Sequence, residues 1–187
     1  MLRLPEPVKD SDFSVEKAME NRKSVRKYRE DSIKLEEISQ ILWSAGKSPS
    51  AGGIYPMKIY LMAGSVENIE ASIYRYLPSK HELELAVEGD KRSGLCKACL
   101  NQRFVRDAPA NIVITALYDK IKRGYGERGV RYAIIEAGHM SQNIYLQAEA
   151  MDLGTVAVGA FHDDHVSEVM ELSPKESPLY VMPVGRR

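Results

Sequence analysis

Residues 130–151 read VRYAIIEAGHMSQNIYLQAEAM and form the longest stretch of the 187-residue chain with a regular hydrophobic period. Apolar or small side chains recur at positions 130, 134, 137, 141, 144, 148 and 151, a spacing that predicts a helix. Ile135, Met140, Tyr145 and Leu146 fall outside this stripe. A helix that is apolar on more than one side is buried on more than one side. We therefore expect one side of it to meet a second subunit.

The segments around this helix mix helices and strands without strict alternation. Hydrophobic periodicity and capping residues predict further helices at residues 14–21, 35–45, 92–106 and 164–171. Short apolar or alternating runs predict strands at residues 57–63, 72–77, 83–87, 110–118, 155–161 and 179–184. The pattern indicates the α+β class.

Length and composition limit what kind of protein this is. A chain of 187 residues suits a single domain, residues 1–187, because one core serves chains of up to about 250 residues. The 26 basic and 26 acidic residues cancel, which argues against nucleic-acid or membrane-surface binding. The sequence has no membrane-spanning run and no apolar signal core. The sequence also has only two cysteines, which excludes a disulfide framework. We therefore expect a cytoplasmic protein.

The string Arg22-Lys23-Ser24-Val25-Arg26 is a candidate anion site. If the backbone is extended, positions 22, 24 and 26 point to one side, because side chains alternate along a strand. Two guanidinium groups and a hydroxyl would then converge, and the arginine fork matches phosphate geometry. The alternative interpretation is a solvated, charged turn.

A second candidate is the loop Pro49-Ser50-Ala51-Gly52-Gly53-Ile54-Tyr55-Pro56. Its small residues would let the backbone approach a flat ligand closely and hydrogen-bond the edge of a ring. The alternative is a plain connecting loop.

The string Gly124-Tyr125-Gly126-Glu127-Arg128-Gly129 fits the G-x-G-x-x-G pattern of dinucleotide-binding proteins. That fingerprint should begin at the end of a strand and open a helix. Here the charged run 119–123 separates the predicted strand from the glycines. A flexible loop before the long helix is therefore the favoured interpretation, ahead of a Rossmann site.

Two further groups of residues could bind a metal or react with oxidants. Cys96 and Cys99 have CxxC spacing, but no second ligand pair completes a zinc site, so two semi-buried thiols are favoured. The string His162-Asp163-Asp164-His165 suits a helix start better than a metal site, because acidic residues are stabilised at the positive end of a helix. No metal is predicted.

Taken in order, six strings resemble the FMN-dependent nitroreductase family, and more closely its SagB-type branch of azoline dehydrogenases. They occupy residues 22–28, 49–56, 129–132, 136–143, 153–161 and 178–186. The resemblance implies an α+β fold, with a mostly antiparallel sheet flanked by helices. It also implies an intertwined homodimer with FMN bound at the subunit interface.

The resemblance also implies which residues hold the cofactor. Residues 22–26 would contact the FMN phosphate, ribityl chain and pyrimidine edge, and the loop from Pro49 would reach the flavin of the partner subunit. Residues 158–160 would lie near flavin N5, and Arg186 would return to the phosphate. The implied cofactor-binding residues are Arg22, Lys23, Ser24, Arg26, Pro49, Ser50, Ala51, Gly52, Val158, Gly159, Ala160 and Arg186.

The activity implied is that of an FMN-dependent oxidoreductase. NADH or NADPH would pass a hydride to flavin N5 and be replaced by an acceptor such as a nitro compound or quinone, giving ping-pong kinetics. Tyr125 is the candidate proton donor. One alternative is an azoline-type dehydrogenase acting on a peptide or metabolite, although the Lys-Tyr pair of that branch reads Gly124-Tyr125 here. Another is a non-catalytic FMN-binding module.

Overall fold

The computed structural model describes all residues from 1 to 187 and contains seven strands in one antiparallel sheet. The strands are β1 (Leu2–Arg3), β2 (Met57–Ala63), β3 (Ser72–Leu77), β4 (Glu82–Glu88), β5 (Ala110–Ala116), β6 (Leu153–Thr155) and β7 (Ser177–Arg186). Their order across the sheet is β1-β4-β3-β2-β5-β7-β6. This arrangement, with helices on both faces, confirms the predicted α+β class.

Seven α-helices cover the sheet. They are α1 (Val15–Asn21), α2 (Leu35–Ala45), α3 (Arg92–Ala98), α4 (Arg103–Asp107), α5 (Tyr118–Tyr125), α6 (Arg128–Ala150) and α7 (Asp163–Val169). None of them has the length and apolar character needed to cross a bilayer.

Strand β5 lies at the centre of the molecule, and all seven of its residues are buried. Successive side chains of a strand point to opposite faces. Ile112 and Ile114 accordingly join the core that packs against α2 and α6, and Val113 joins the core beneath α3, α4 and α7. A strand covered on both faces needs a nearly continuous apolar sequence, which explains the run at residues 110–116.

Helix α6 confirms the predicted long helix but has a different buried face. Its inward residues include Ala133, Ala137, Ile144 and Ala148, whereas Ile134, assigned to the inward stripe by periodicity, is 54% exposed. The outward face is a stripe with helical spacing. It consists of Arg131, Ile134, Ile135, Gly138, His139 and Gln142. The chain thus has an unpartnered, partly apolar helix face.

Helix α5 occupies residues for which the sequence predicted a strand end and a flexible loop. The prediction was wrong because Ile121 is the only fully buried residue among the charged side chains of this helix. Ile121 packs against Ala116 and Ala133, and this contact holds α5 on α6. One buried residue in eight is too weak a periodic signal to detect.

The glycine-rich string turns the chain from α5 into α6. Gly126 ends α5 with a φ of +56°, a backbone conformation that favours glycine. A β-carbon at Gly129 would lie 3.0 Å from the backbone carbon of Ile121, so this glycine lets the two helices pack closely. The string links two helices rather than a strand and a helix, which confirms that a Rossmann site was the wrong interpretation.

Two other predicted elements differ in extent. The helical region 92–106 is two helices, α3 and α4, because Leu100 and Asn101 between them have φ values of +56° and +58°. Of the predicted strand 155–161, only Thr155 lies in β6, and Val158 forms one bridge with Val181. The strand ends early because the N–H of Ala157 donates to the side chain of Tyr145.

Cys96 on α3 and Cys99 at its C-terminal end are free thiols packed in the core. Burial raises the pKa of the Cys99 thiol to about 12. Because the thiolate is the reactive form, this side chain acts as a packing residue.

Two carboxylates are buried on α6 and have different partners. Glu149 is bound by Arg187, with 2.6 Å between Nη1 and Oε2. Glu136 is 4% exposed and makes no salt bridge, and its Oε2 accepts a hydrogen bond of 2.6 Å from Ser50 Oγ. Desolvation raises the pKa of Glu136, although Ser50, His139 and Lys120 act in the opposite direction.

The raised pKa of Glu136 predicts a pH-dependent cost to stability. An acid whose pKa is higher in the folded state destabilises that state increasingly as pH rises through the folded pKa. The variant Glu136→Gln keeps an acceptor for Ser50 and removes the buried charge. We expect it to melt above the wild type at pH 8, because the wild type then carries the buried charge that the variant lacks.

Thermal melts of the two proteins between about pH 4 and pH 8 test this prediction. The difference in Tm should shrink as pH falls toward 4, because the raised pKa favours the neutral form of Glu136 and the variant is neutral throughout. A Glu136→Gln variant that is less stable than the wild type at pH 8 would show that the ionised carboxylate stabilises the fold.

Candidate functional site

The segment that follows α1 extends the sheet beyond β6. Ser24 forms a parallel bridge with Thr155, and the N–H of Val25 donates to the Thr155 carbonyl at 2.9 Å. A β-carbon at Gly154 would lie 2.6 Å from Val25 Cγ1, so glycine is required for this close approach. The segment is therefore extended around Ser24, which is the condition that the expected convergence of positions 22, 24 and 26 requires.

The last strand runs beside the same segment. The N–H of Arg29 donates to the Arg186 carbonyl at 2.9 Å, and the Tyr28 ring packs over Gly185, where a β-carbon would lie 3.0 Å from it. The guanidinium of Arg186 contacts both carboxylate oxygens of Glu37 at 3.0 Å. The basic segment and the end of the last strand thus meet here, and the Arg186 side chain is already paired.

The other basic residues of this segment have no acidic partner. Arg22, Lys23 and Arg26 are absent from the ten salt bridges of the chain. Nε of Arg22 is buried and has no hydrogen-bond partner, and its guanidinium carbon lies 5.0 Å from the centre of the Tyr145 ring. The segment therefore presents unused cationic donors beside an exposed serine.

Tyr145 joins these residues to the strand end after β6. Its Oη lies 2.9 Å from Ser24 Oγ and accepts a hydrogen bond of 2.9 Å from the N–H of Ala157. Sequence reasoning missed this residue as a site component. The only feature of the sequence that could have pointed to Tyr145 was a polar aromatic side chain outside the predicted inward stripe of α6.

Residues 158–160 divide into one buried and two exposed positions. Val158 is buried, and its N–H and carbonyl both bond to Val181, at 2.9 and 3.0 Å. Gly159 and Ala160 are exposed, and their N–H groups make no hydrogen bond within the chain. Of the three predicted residues, Gly159 and Ala160 can therefore donate to a ligand. We call the basic segment, Tyr145 and residues 157–160 the edge cluster.

A second group, the loop cluster, consists of the loop 49–55, Tyr125 and Glu136. Ser50 Oγ accepts the N–H of Tyr55 at 2.8 Å and donates to Glu136. Gly52 has a φ of +59°, and a β-carbon there would lie 2.7 Å from the Tyr125 hydroxyl oxygen. The structure thus brings the predicted proton donor against the predicted flavin loop. Pro49 and Ala51 lie in the same loop.

The two clusters lie at different levels of α6. Glu136 and Tyr145 are nine residues apart, which corresponds to about 13 Å along a helix axis at 1.5 Å per residue. No hydrogen bond or ion pair connects the clusters within one chain. A single chain therefore assembles two partial sites.

A cavity of about 630 Å³ borders the loop cluster. Its lining includes Tyr55, Met57, Lys120, Glu136 and Met140. The Nζ of Lys120 donates to the Tyr55 carbonyl at 2.8 Å, which ties α5 to the loop. Cavities of this size accommodate small organic molecules.

The structure contains no group of three His, Cys, Asp or Glu side chains arranged to hold a metal ion. The rings of His162 and His165 lie 5.1 Å apart, while Asp163 and Asp164 occupy the first turn of α7. This agrees with the predicted helix start, although no side chain makes a capping hydrogen bond there.

Comparison with known proteins connects these features to one family. The Nitroreductase family model matches residues 19–186. A Methanocaldococcus jannaschii protein that bears the nitroreductase name is 38% identical over 185 residues, which is 94% of this chain and 92% of its own. The microcin B17-processing protein McbC of Escherichia coli is 28% identical over 144 residues, 73% of this chain and 53% of its own.

Solved structures show the same fold. A protein from Anabaena variabilis described as a nitroreductase superposes with a TM-score of 0.87 and 28% identity over 96% of this chain, which spans 40% of that longer chain. The NADPH:FMN oxidoreductase of Vibrio harveyi, solved with NAD+, superposes with a TM-score of 0.71 over 92% of this chain and 68% of its own. At 19% identity, that likeness shows the fold alone.

The family match begins in α1 and ends at the last residue of β7, so it includes both clusters and every strand of the sheet except β1. The chain therefore belongs to the nitroreductase family.

Proposed function

We propose that this protein is an FMN-dependent oxidoreductase that uses NADH or NADPH to reduce nitro compounds, quinones or similar acceptors. Membership of the nitroreductase family supports redox chemistry, and the similar fold of an NADPH:FMN oxidoreductase supports the choice of cofactors. The observation that carries the proposal is the edge cluster, where unpaired arginines and free backbone donors lie along one edge of the sheet.

The basic end of the edge cluster suits a phosphate. A buried donor without a partner costs about 1–3 kcal/mol, and a phosphate oxygen would satisfy Nε of Arg22. Arg26 and Lys23 are exposed and add positive charge. Arg186 would contact the phosphate directly only after leaving Glu37. We therefore assign the main phosphate contacts to Arg22, Ser24 and Arg26.

The opposite end of the edge cluster suits the flavin ring. When bound, FMN would supply the two-electron chemistry that no protein side chain provides. The N–H groups of Gly159 and Ala160 would donate to the ring edge. Gln102 fixes this segment, because its Nε2 donates to the Ala160 carbonyl at 3.0 Å. Donors held in place in this way stabilise negative charge on a bound ring.

The outward face of α6 supports a homodimer. Gly138 lies in the middle of the helix, and nothing in the chain comes within 4 Å of the β-carbon it lacks. A glycine in a helix interior costs about 1 kcal/mol relative to alanine, and no contact within one chain explains it. A second copy of α6 packed on Gly138, Ile134 and Ile135 would bury the apolar stripe and use the open space.

Such a dimer would also unite the two partial sites. The midpoint between Glu136 and Tyr145 along α6 falls between residues 140 and 141. At this level of the helix, Gly138 and Gln142 are exposed on the outward face. Two α6 helices that cross antiparallel at this point would bring the edge cluster of one chain level with the partner's loop cluster. Each complete site would then draw on both chains.

Tyr125 is the side chain that we propose as proton donor. It is 39% exposed, lies against Gly52 and packs edge-on against Tyr132 with 5.0 Å between ring centres. A phenol held beside the flavin loop could deliver a proton to the reduced acceptor.

The azoline-type dehydrogenase remains the second candidate because McbC matches 73% of this chain. This chain has Tyr125 but carries glycine at position 124. An enzyme of that type would be reduced by its own substrate and not by NAD(P)H. A non-catalytic FMN-binding module would bind the flavin without turnover. For each of these functions we propose the cytoplasm, where free thiols persist.

Purified protein supplied with FMN should be yellow and should bleach in the absence of oxygen when NADH or NADPH is added, because electrons enter the bound flavin. Anaerobic absorbance spectra measure this reaction. Bleaching by a thiazoline peptide alone would favour the azoline-type enzyme, and bound flavin that no donor reduces would favour the binding module. A protein that does not bind FMN contradicts all three.

Replacing Arg22 by alanine should weaken FMN binding about tenfold to hundredfold, because a charge-assisted hydrogen bond contributes about 1.5–3 kcal/mol. Quenching of FMN fluorescence on titration measures the Kd. Arg103→Ala is the matched control, since Arg103 is exposed, unpaired and on α4. Equal Kd values for Arg22→Ala and wild type would contradict the phosphate assignment.

The variants Ile135→Lys and Gly138→Leu should be monomeric. Ile135→Lys would bury a charge in the subunit contact, and Gly138→Leu would fill the space that the partner's helix needs. Sedimentation velocity measures the change. Leu85→Lys on β4 is the control because Leu85 is also half-exposed, at 46%. A monomeric wild type, or variants that stay dimeric, would show that this face is not the subunit contact.

A further inference from the structure

Tyr145 links parts of the molecule that are far apart in sequence. Its hydroxyl lies 2.9 Å from Ser24 Oγ, 121 residues away in the sequence, and 2.9 Å from the N–H of Ala157. Its ring lies under the Arg22 guanidinium, at 5.0 Å. One side chain on α6 therefore contacts both ends of the edge cluster.

The direction of these hydrogen bonds follows from the donors available. The Ala157 N–H can only donate, so Tyr145 Oη is the acceptor. The structure allows either hydroxyl to donate across the 2.9 Å between Ser24 Oγ and Tyr145 Oη. Because a phenol is the stronger proton donor, we assign the hydrogen of Tyr145 to Ser24 Oγ. The hydrogen of Ser24 is then unused, and Ser24 is exposed. With this assignment, the Ser24 hydroxyl keeps its own hydrogen free to donate to a ligand.

We propose that Tyr145 is a positioning residue that prepares the edge cluster for an anionic, polyhydroxylated ligand before the ligand binds. It presents the Ser24 hydroxyl as a donor, supports the Arg22 guanidinium from below and fixes the strand end that leads to Gly159 and Ala160. The inference rests on the proposed function, which makes FMN the ligand. Tyr145 itself touches neither the reacting atoms nor the acceptor.

The arrangement explains why α6 carries a tyrosine at this position. A phenylalanine would fill the same space and keep the ring beneath Arg22, but it would leave the Ala157 N–H without its acceptor. Ser24 would also be free to rotate its hydroxyl away from the ligand. Preorganised donors improve binding because less ordering is needed on association.

The test is a double-mutant cycle on the full-length protein, with FMN affinity measured by fluorescence quenching. Tyr145→Phe should raise the Kd for FMN about tenfold, and Ser24→Ala should raise it similarly. Because part of the tyrosine's effect acts through Ser24 and part through Ala157, the loss in the double variant should be clearly smaller than the sum of the two single losses. Additive losses, or a Tyr145→Phe variant that binds FMN like wild type, would overturn the inference.

Tyr74→Phe is the matched control because it also removes a phenol hydroxyl, one that donates to the Glu70 carbonyl at 2.9 Å on the far part of the sheet. It should leave FMN affinity unchanged. If the wild type binds FMN but the losses from Tyr145→Phe and Ser24→Ala simply add, the inference fails while the proposed function stands. If the wild type does not bind FMN, the proposed function fails first.

Amide hydrogen exchange gives a readout that does not depend on the variants' affinity. In the flavin-free wild type the Ala157 amide should be protected and the Gly159 and Ala160 amides should exchange fast. Tyr145→Phe should remove the protection at Ala157 without lowering protection in β5. An Ala157 amide that exchanges freely in the wild type would contradict the proposed role of its hydrogen bond to Tyr145.

Discussion

The hydrogen bond from the Val25 N–H to the Thr155 carbonyl is the constraint on which the candidate site depends. It holds the basic segment on the edge of the sheet, where β6 would otherwise expose unpaired backbone groups. The contact of Val25 with Gly154 fixes the distance, and the bond from Arg29 to Arg186 fixes the far end. Side-chain chemistry at this edge therefore follows from backbone pairing.

Helix α6 carries three kinds of contact on three faces. Its inner face packs on the sheet through small residues such as Ala137, and its outer face is open at Gly138. Glu136 and Tyr145, nine residues apart on the helix, each belong to one cluster. One rigid helix thus sets the distance between the two clusters. A change in how α6 packs would move both clusters relative to each other.

Periodicity predicted the bounds of α2, β2 and β3 because each presents a clear apolar pattern over its length. It failed for α5, where Ile121 alone marks the buried side, and it misplaced Ile134. For the site, the sequence predicted the basic segment and the glycine loop. It could not predict Tyr145 or the Glu37 partner of Arg186, because both depend on contacts between residues more than one hundred positions apart.

The separation of the two clusters along α6 has a genetic consequence if each site is shared between two subunits. A chain damaged at Arg22 and a chain damaged at Gly52 would each form inactive dimers with copies of themselves. Mixed dimers of the two would contain one site with both defects and one with neither. Co-expression of two inactive alleles would then restore part of the activity, a case of intragenic complementation.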